Sequence, residues 1–215
     1  MLAIFKREFK SYFQNVIGWL FVAALLAVYG LYFYVYNLKN GYPYISYDLN
    51  GIGFIMMIAV PILTMRSLSD EKKTKTDQLM LTSPVSVGRI VAGKYFAMAA
   101  VYTIVIALFA LSPLVLSIYG KVALSEAYVA LFGYWLYGLS CIAVGLFISS
   151  ISESVIISAI LTFAALFLSY MMQSITGLIS SSGNLLTKVL NCFDLYTPFE
   201  NFVSGCFSVT SAAYY

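Results

Sequence analysis

Histidine is absent from this chain, and cysteine occurs only as Cys141, Cys192 and Cys206. Zinc and iron–sulfur sites draw their ligands from closely spaced Cys and His, so metal chemistry has no support here. Charge is scarce as well: charged residues make up 10% of the 215 residues, against 61% hydrophobic and 17% aromatic, and mean hydropathy is +0.89. So few charges cannot cover a soluble domain of this length, which points to an all-α polytopic membrane protein in contact with the lipid bilayer. The net charge of +3 is small and the basic residues are scattered, which argues against nucleic acid as a partner.

What is present is a series of long apolar runs. A spanning helix needs about 20 apolar residues, and five segments meet or approach that: 16–36, 49–65, 95–119, 127–148 and 155–176. The second is short and carries Pro61, which predicts a kink near its end. In the first, Ala24-Leu25-Leu26-Ala27 faintly resembles a cleavage site, but the run continues past it and reads as a retained anchor. None of the five contains Asp, Glu, Lys or Arg. An ion-driven carrier needs such groups as relays or ligands, so the energy source is expected elsewhere.

Basic residues set the expected orientation. Lys6, Arg7, Lys10, Arg66, Lys72, Lys73, Lys75, Arg89 and Lys94 fall on one side of this topology, and Lys39, Lys121 and Lys188 on the other. By the positive-inside rule the amino terminus and the loop 66–94 are cytoplasmic. The first residues, 1–14, place Leu2, Phe5, Phe9 and Tyr12 or Phe13 on one helical face and Lys6, Arg7, Lys10 and Gln14 on the other. This predicts an amphipathic helix in the inner interface, the alternative being a frayed start of the first span. Residues 177–215 read as short helices on or dipping into the outer leaflet, where Cys192 and Cys206 would be joined by a disulfide if two of them ran side by side.

One match is a decoy. Gly88 to Lys94 has the spacing of a phosphate-binding loop, but Tyr95 stands where the motif needs Ser or Thr for magnesium, and the stretch opens an apolar helix instead of following a strand. The rest of the loop reads as a docking element. Thr76 caps a short helix with Asp77 in its first turn, Ser83-Pro84 ends it, and Leu79, Met80 and Leu81 are presented between the two breaks. Glu71, Lys72, Lys73 and Lys75 flank it with both signs of charge, suited to orienting a partner. The alternative is a solvated loop whose leucines fold back on the membrane.

The run Glu71-Lys-Lys-Thr-Lys-Thr76-Asp-Gln-Leu79-Met-Leu-Thr-Ser-Pro84-Val-Ser86, followed by Gly93-Lys94, resembles the signature of ABC-2 type permeases of ABC transporters, near the gliding-motility branch. The resemblance implies a transmembrane subunit of an ATP-driven exporter in a bacterial cytoplasmic membrane. In it, Glu71, Lys72, Lys73, Thr76, Asp77, Leu79, Met80, Leu81 and Pro84 would dock an ABC ATPase subunit. ATP and magnesium would sit on that partner, none on this chain, and a second permease subunit, identical or not, would complete the path. Lys75 departs from the pattern, standing where the family commonly has Gly, and Glu200-Asn201-Phe202 stands where a His-Phe pair is frequent. Relatives close with another spanning helix, so the apolar stretch Phe207 to Tyr215 leads to the expectation of a sixth span with a short basic tail.

Other readings remain open at this stage. Tyr29, Tyr32 and Tyr36 share a face and would line a substrate path or form an outer aromatic belt. Gly138, Cys141, Gly145 and Ser149 form a small-residue stripe for packing between subunits or within the chain. An integral membrane enzyme would need more than Asp194, Glu200 and Glu153, which lack a histidine or cysteine cluster to work with. Against a passive scaffold only the loop resemblance argues.

Overall fold

A computed structural model of the chain describes residues 2–75, 86–119, 122–179 and 193–215, with backbone alone for 173–179. Thr76, Asp77, Leu79, Met80, Leu81, Pro84 and Cys192 lie outside the described residues. The described residues are mostly helical, and among them five helices are long and apolar enough to cross a membrane. The chain is an all-α polytopic membrane protein.

The amino-terminal helix α1 (Leu2–Gln14) is separate from α2 (Val16–Tyr32), because Asn15 between them is extended at φ −91°, ψ 153°. Gly18 makes the sharp turn possible: a Cβ there would overlap the Tyr12 backbone carbonyl. Phe9, Tyr12 and Phe13 pack against the core while Lys6, Arg7, Lys10 and Gln14 stay exposed, as the periodicity requires. Phe5, Phe9, Phe13 and Trp19 then form an aromatic row with successive ring centroids 5.9, 5.0 and 5.5 Å apart.

Helix α2 runs on into a π-helical segment, Phe33–Lys39. The next helix, α3 (Ile45–Thr64), is the most enclosed; Leu49, Ile52, Met56, Met57, Val60 and Leu63 are fully buried, and it packs on α2, α7 and α8. Pro61 lies inside α3 near its end, and the chain leaves through Met65 into a single-turn helix, α4 (Ser69–Lys73). Helix α5 (Val87–Phe109) and helix α6 (Ser112–Tyr119) follow, then α7 (Leu124–Ile151), α8 (Val155–Ile179), and the short α9 (Thr197–Val203) and α10 (Val209–Tyr214).

Three features depart from the apolar-run reading. The run 95–119 is two helices, because Pro113 has no N–H to continue the ladder; the Ser112 hydroxyl donates to the Phe109 carbonyl instead, at 2.7 Å. Helix α5 begins at Val87, so Arg89 and Lys94 stand on the spanning helix itself. Helix α3 begins at Ile45 and so takes in Asp48, which is fully buried. The apolar runs themselves hold no acid or base, but the helices that contain them start earlier and take in Asp48, Arg89 and Lys94. A polar residue ends an apolar run, but it does not end a helix whose neighbours satisfy it.

The small-residue stripe of α7 is used inside the chain. A Cβ at Gly138 would overlap the Tyr102 ring of α5, and one at Gly145 would overlap the Thr64 side chain of α3. Cys141 between them is buried. Leu31, Phe147, Ile156, Ile160 and Leu168 face outward, where a bilayer rather than protein would cover them. At the end of the bundle away from α1 and α4, Asp194 starts α9 by accepting hydrogen bonds from the amides of Tyr196 and Thr197 at 2.9 and 3.0 Å. Phe199 and Phe202 then fill the space beside α7. Cys206 is a free, exposed thiol.

Candidate functional site

The residues bordering the loop converge on Lys94. Its side chain is 2% exposed, and its ammonium lies 2.7 Å from the Glu71 carboxylate and 3.5 Å from that of Glu8 and donates to the Ser67 carbonyl at 2.8 Å. Arg7 joins from the rim, 2.7 Å from Glu8 and 3.8 Å from Glu71. The cluster thus ties α1, α4 and α5 together. A charge buried this deep needs such partners, since an unpaired buried charge costs several kcal/mol. The decoy is settled by the same geometry: Gly88 to Lys94 is helix, and the lysine is turned to two carboxylates.

Helix α4 is fastened on its other side to the end of α7. Ser149 Oγ accepts from the amides of Leu68 and Ser69, each at 3.2 Å, and meets Ser69 Oγ at 3.0 Å. These bonds supply acceptors for the first amides of α4, which a helix start leaves without partners. The Lys72 ammonium donates to the Ser150 carbonyl. Thr74 closes the turn by donating to the Asp70 carbonyl at 2.8 Å. Lys75, one residue beyond, has φ +57°, a left-handed conformation that favours glycine after a helix end. The departure from the family pattern at Lys75 therefore sits where the backbone needs glycine's freedom.

Beside this cluster lies a cavity of about 600 Å³, lined by Arg7, Glu8, Tyr12, Arg66, Asp70 and Glu71 among others. Burial, and then the Glu8 carboxylate, push the Tyr12 phenol up from its ordinary range. It stays a neutral donor, 3.5 Å from the Leu63 carbonyl.

The expected site residues separate into groups. Glu71 and Lys72 turn toward the bundle, while Lys73 is exposed. Tyr29 is buried, stacked on Phe109 with centroids 4.0 Å apart and hydrogen-bonded to Ser112. Tyr32 stacks on the exposed Tyr36 at 5.8 Å. Glu8, Ser69, Lys94 and Ser149 are the residues that sequence reasoning missed as a site. Lys94 carried a readable signal, a lone cation inside an apolar helical pattern, which requires a partner.

A family model described as ABC-2 family transporter protein matches residues 32–212, most of the chain. The chain belongs to the ABC-2 transporter family. The match takes in the loop, α4, Lys94 and Ser149, and begins after the Arg7 and Glu8 side of the charge cluster. No curated protein and no solved structure matches the chain. As an ABC-2 family protein it is a permease component of an ABC transporter, a multi-pass membrane chain whose family associates with an ABC ATPase.

Proposed function

We propose that this chain is the transmembrane subunit of an ATP-driven exporter, docked through the loop from Glu71 to Pro84 onto a separate ATPase that binds ATP and magnesium. It has no catalysis of its own and pairs with a second permease subunit, identical or homologous, around a shared path. The observation that carries this reading is the fastening of α4: it is bound by Glu71 to Lys94 on α5 and by Ser69 and Lys72 to the end of α7. A push on the loop is passed to two spanning helices at once, and through Thr64 and Gly145 to a third.

The membrane is the bacterial cytoplasmic membrane, with the amino terminus inside. In support, Lys6, Arg7, Lys10, Lys72, Lys73, Arg89 and Lys94 all gather on α1, α4 and the start of α5, at one end of the bundle.

The experiment is copurification of the chain with its ATPase. Leu79→Asp in the loop is expected to abolish both copurification and substrate-dependent ATP hydrolysis, while the chain still elutes as folded protein. Unchanged binding and transport in that variant would remove the docking role.

A further inference from the structure

The opposite end of the bundle holds a buried polar pair that the coupling reading does not use. Asp48, on the first turn of α3, is fully buried, and Asn37, in the π-helical segment, is 5% exposed. The Asn37 amide nitrogen donates to Asp48 Oδ2. The two oxygens left over, Asn37 Oδ1 and Asp48 Oδ1, are both buried without a hydrogen-bond partner among the described residues. Short π-helical insertions recur at functional sites, where the wider turn redirects a side chain.

Among the described residues the surroundings offer no compensating cation. Tyr29 on α2 is within electrostatic reach of Asp48, but its hydroxyl is engaged with Ser112. Tyr32 lies against Gly51 and stacks on Tyr36, and Lys39 is exposed. Tyr170 and Tyr196 meet α3 further along, at Phe54 and Gly53, with Tyr137 beyond Tyr196. No ion pair reaches Asp48 among the described residues.

A carboxylate in this place would be a charge removed from water with one oxygen bare. A carboxylic acid changes the count. With a proton on Oδ1, Asp48 becomes a donor, and Asn37, whose amide already donates to Oδ2, has in its Oδ1 an acceptor without a partner. One proton therefore supplies a partner to both orphaned oxygens, giving an acid–amide pair in which each side chain donates once and accepts once.

We propose that Asp48 and Asn37 form a buried proton-binding site. The proton is taken from bulk water onto Asp48 Oδ1, forming the O–H bond and cancelling the negative charge. The proposal does not rest on the coupling loop.

The test is infrared spectroscopy of the full chain in lipid nanodiscs at neutral pH. The wild type is expected to show the carbonyl band of a protonated carboxyl, shifted in D₂O; Asp48→Asn removes it, and Asn37→Leu moves it to the frequency of a carboxyl without that partner. Asp48→Asn keeps the pairing by replacing O–H with N–H, so its melting temperature is expected to be no lower than wild type, whereas Asp48→Leu lowers it. Absence of the band in the wild type overturns the site, as does its persistence in Asp48→Asn. A melting temperature that rises with sodium over potassium, with no such band, would also overturn it by assigning the oxygens to a metal cation. Should Asp48→Asn fail to fold, the wild-type band and its response to Asn37→Leu still decide.

Discussion

Lys94 on α5 and Glu71 on α4 form an ion pair of 2.7 Å in which the lysine is almost wholly withdrawn from water. Glu71 lies on the flank of the loop that carries the family signature, yet its carboxylate points into the bundle. There it holds α4 against α5.

Glu71→Gln removes the nearer counter-charge and leaves Lys94 with Glu8 at 3.5 Å. The expected loss of stability is about 2–3 kcal/mol, below that of a buried pair broken outright because Glu8 remains. Thermal unfolding in detergent measures it. The double variant Glu71→Gln, Lys94→Met should recover part of the loss, since no cation short of its nearer counter-charge is then buried. Glu71→Lys should be worse than either. If Glu71→Gln instead kept full stability and lost only ATPase binding, the carboxylate would belong to the interface.

Lys75→Gly is expected to stabilise the chain by about 0.5–1 kcal/mol, because glycine adopts the left-handed conformation at φ +57° without a Cβ penalty. Lys75→Val should do the reverse. A matched pair of melting curves reads both, and a destabilising glycine would show that the lysine makes a contact worth more than the conformational term.

Gly138→Ala puts a methyl where the Tyr102 ring lies, and Tyr102 is pinned by its hydroxyl to the Tyr134 carbonyl at 2.7 Å. Overpacking of this kind costs about 1–3 kcal/mol. Gly30, with nothing near its missing Cβ, is the control; Gly30→Ala should be neutral or slightly stabilising. Equal melting temperatures for the two alanine variants would contradict the packing of α5 on α7.

The proposed orientation is checked by thiol labelling. Cys141 is buried, Cys206 is exposed and Cys192 lies outside the described residues, so Cys192 and Cys206 are first replaced by serine. A cysteine at exposed Tyr44 should then react with an impermeant reagent in intact cells, and one at exposed Lys73 only after the membrane is permeabilised. The opposite pattern would invert the chain.

The sequence by itself determined the class, the five spans and the family, because apolar content and the Glu71 to Ser86 signature are local properties that survive in any context. The amphipathic α1 was equally legible, since Phe5, Phe9 and Tyr12 recur at helical spacing. What only the tertiary structure decided is where polar groups find partners. Asp48 and Lys94 stand at the ends of apolar runs, where residue counting leaves them outside the membrane helices. Their burial depends on Asn37 and Glu71, side chains 11 and 23 residues away along the chain. The stripe from Gly138 to Ser149 was visible too, yet its use for Tyr102, Thr64 and Ser69 depends on three other helices arriving at one face of α7. A one-dimensional pattern records which residues are small or charged; only packing fixes which surface meets them.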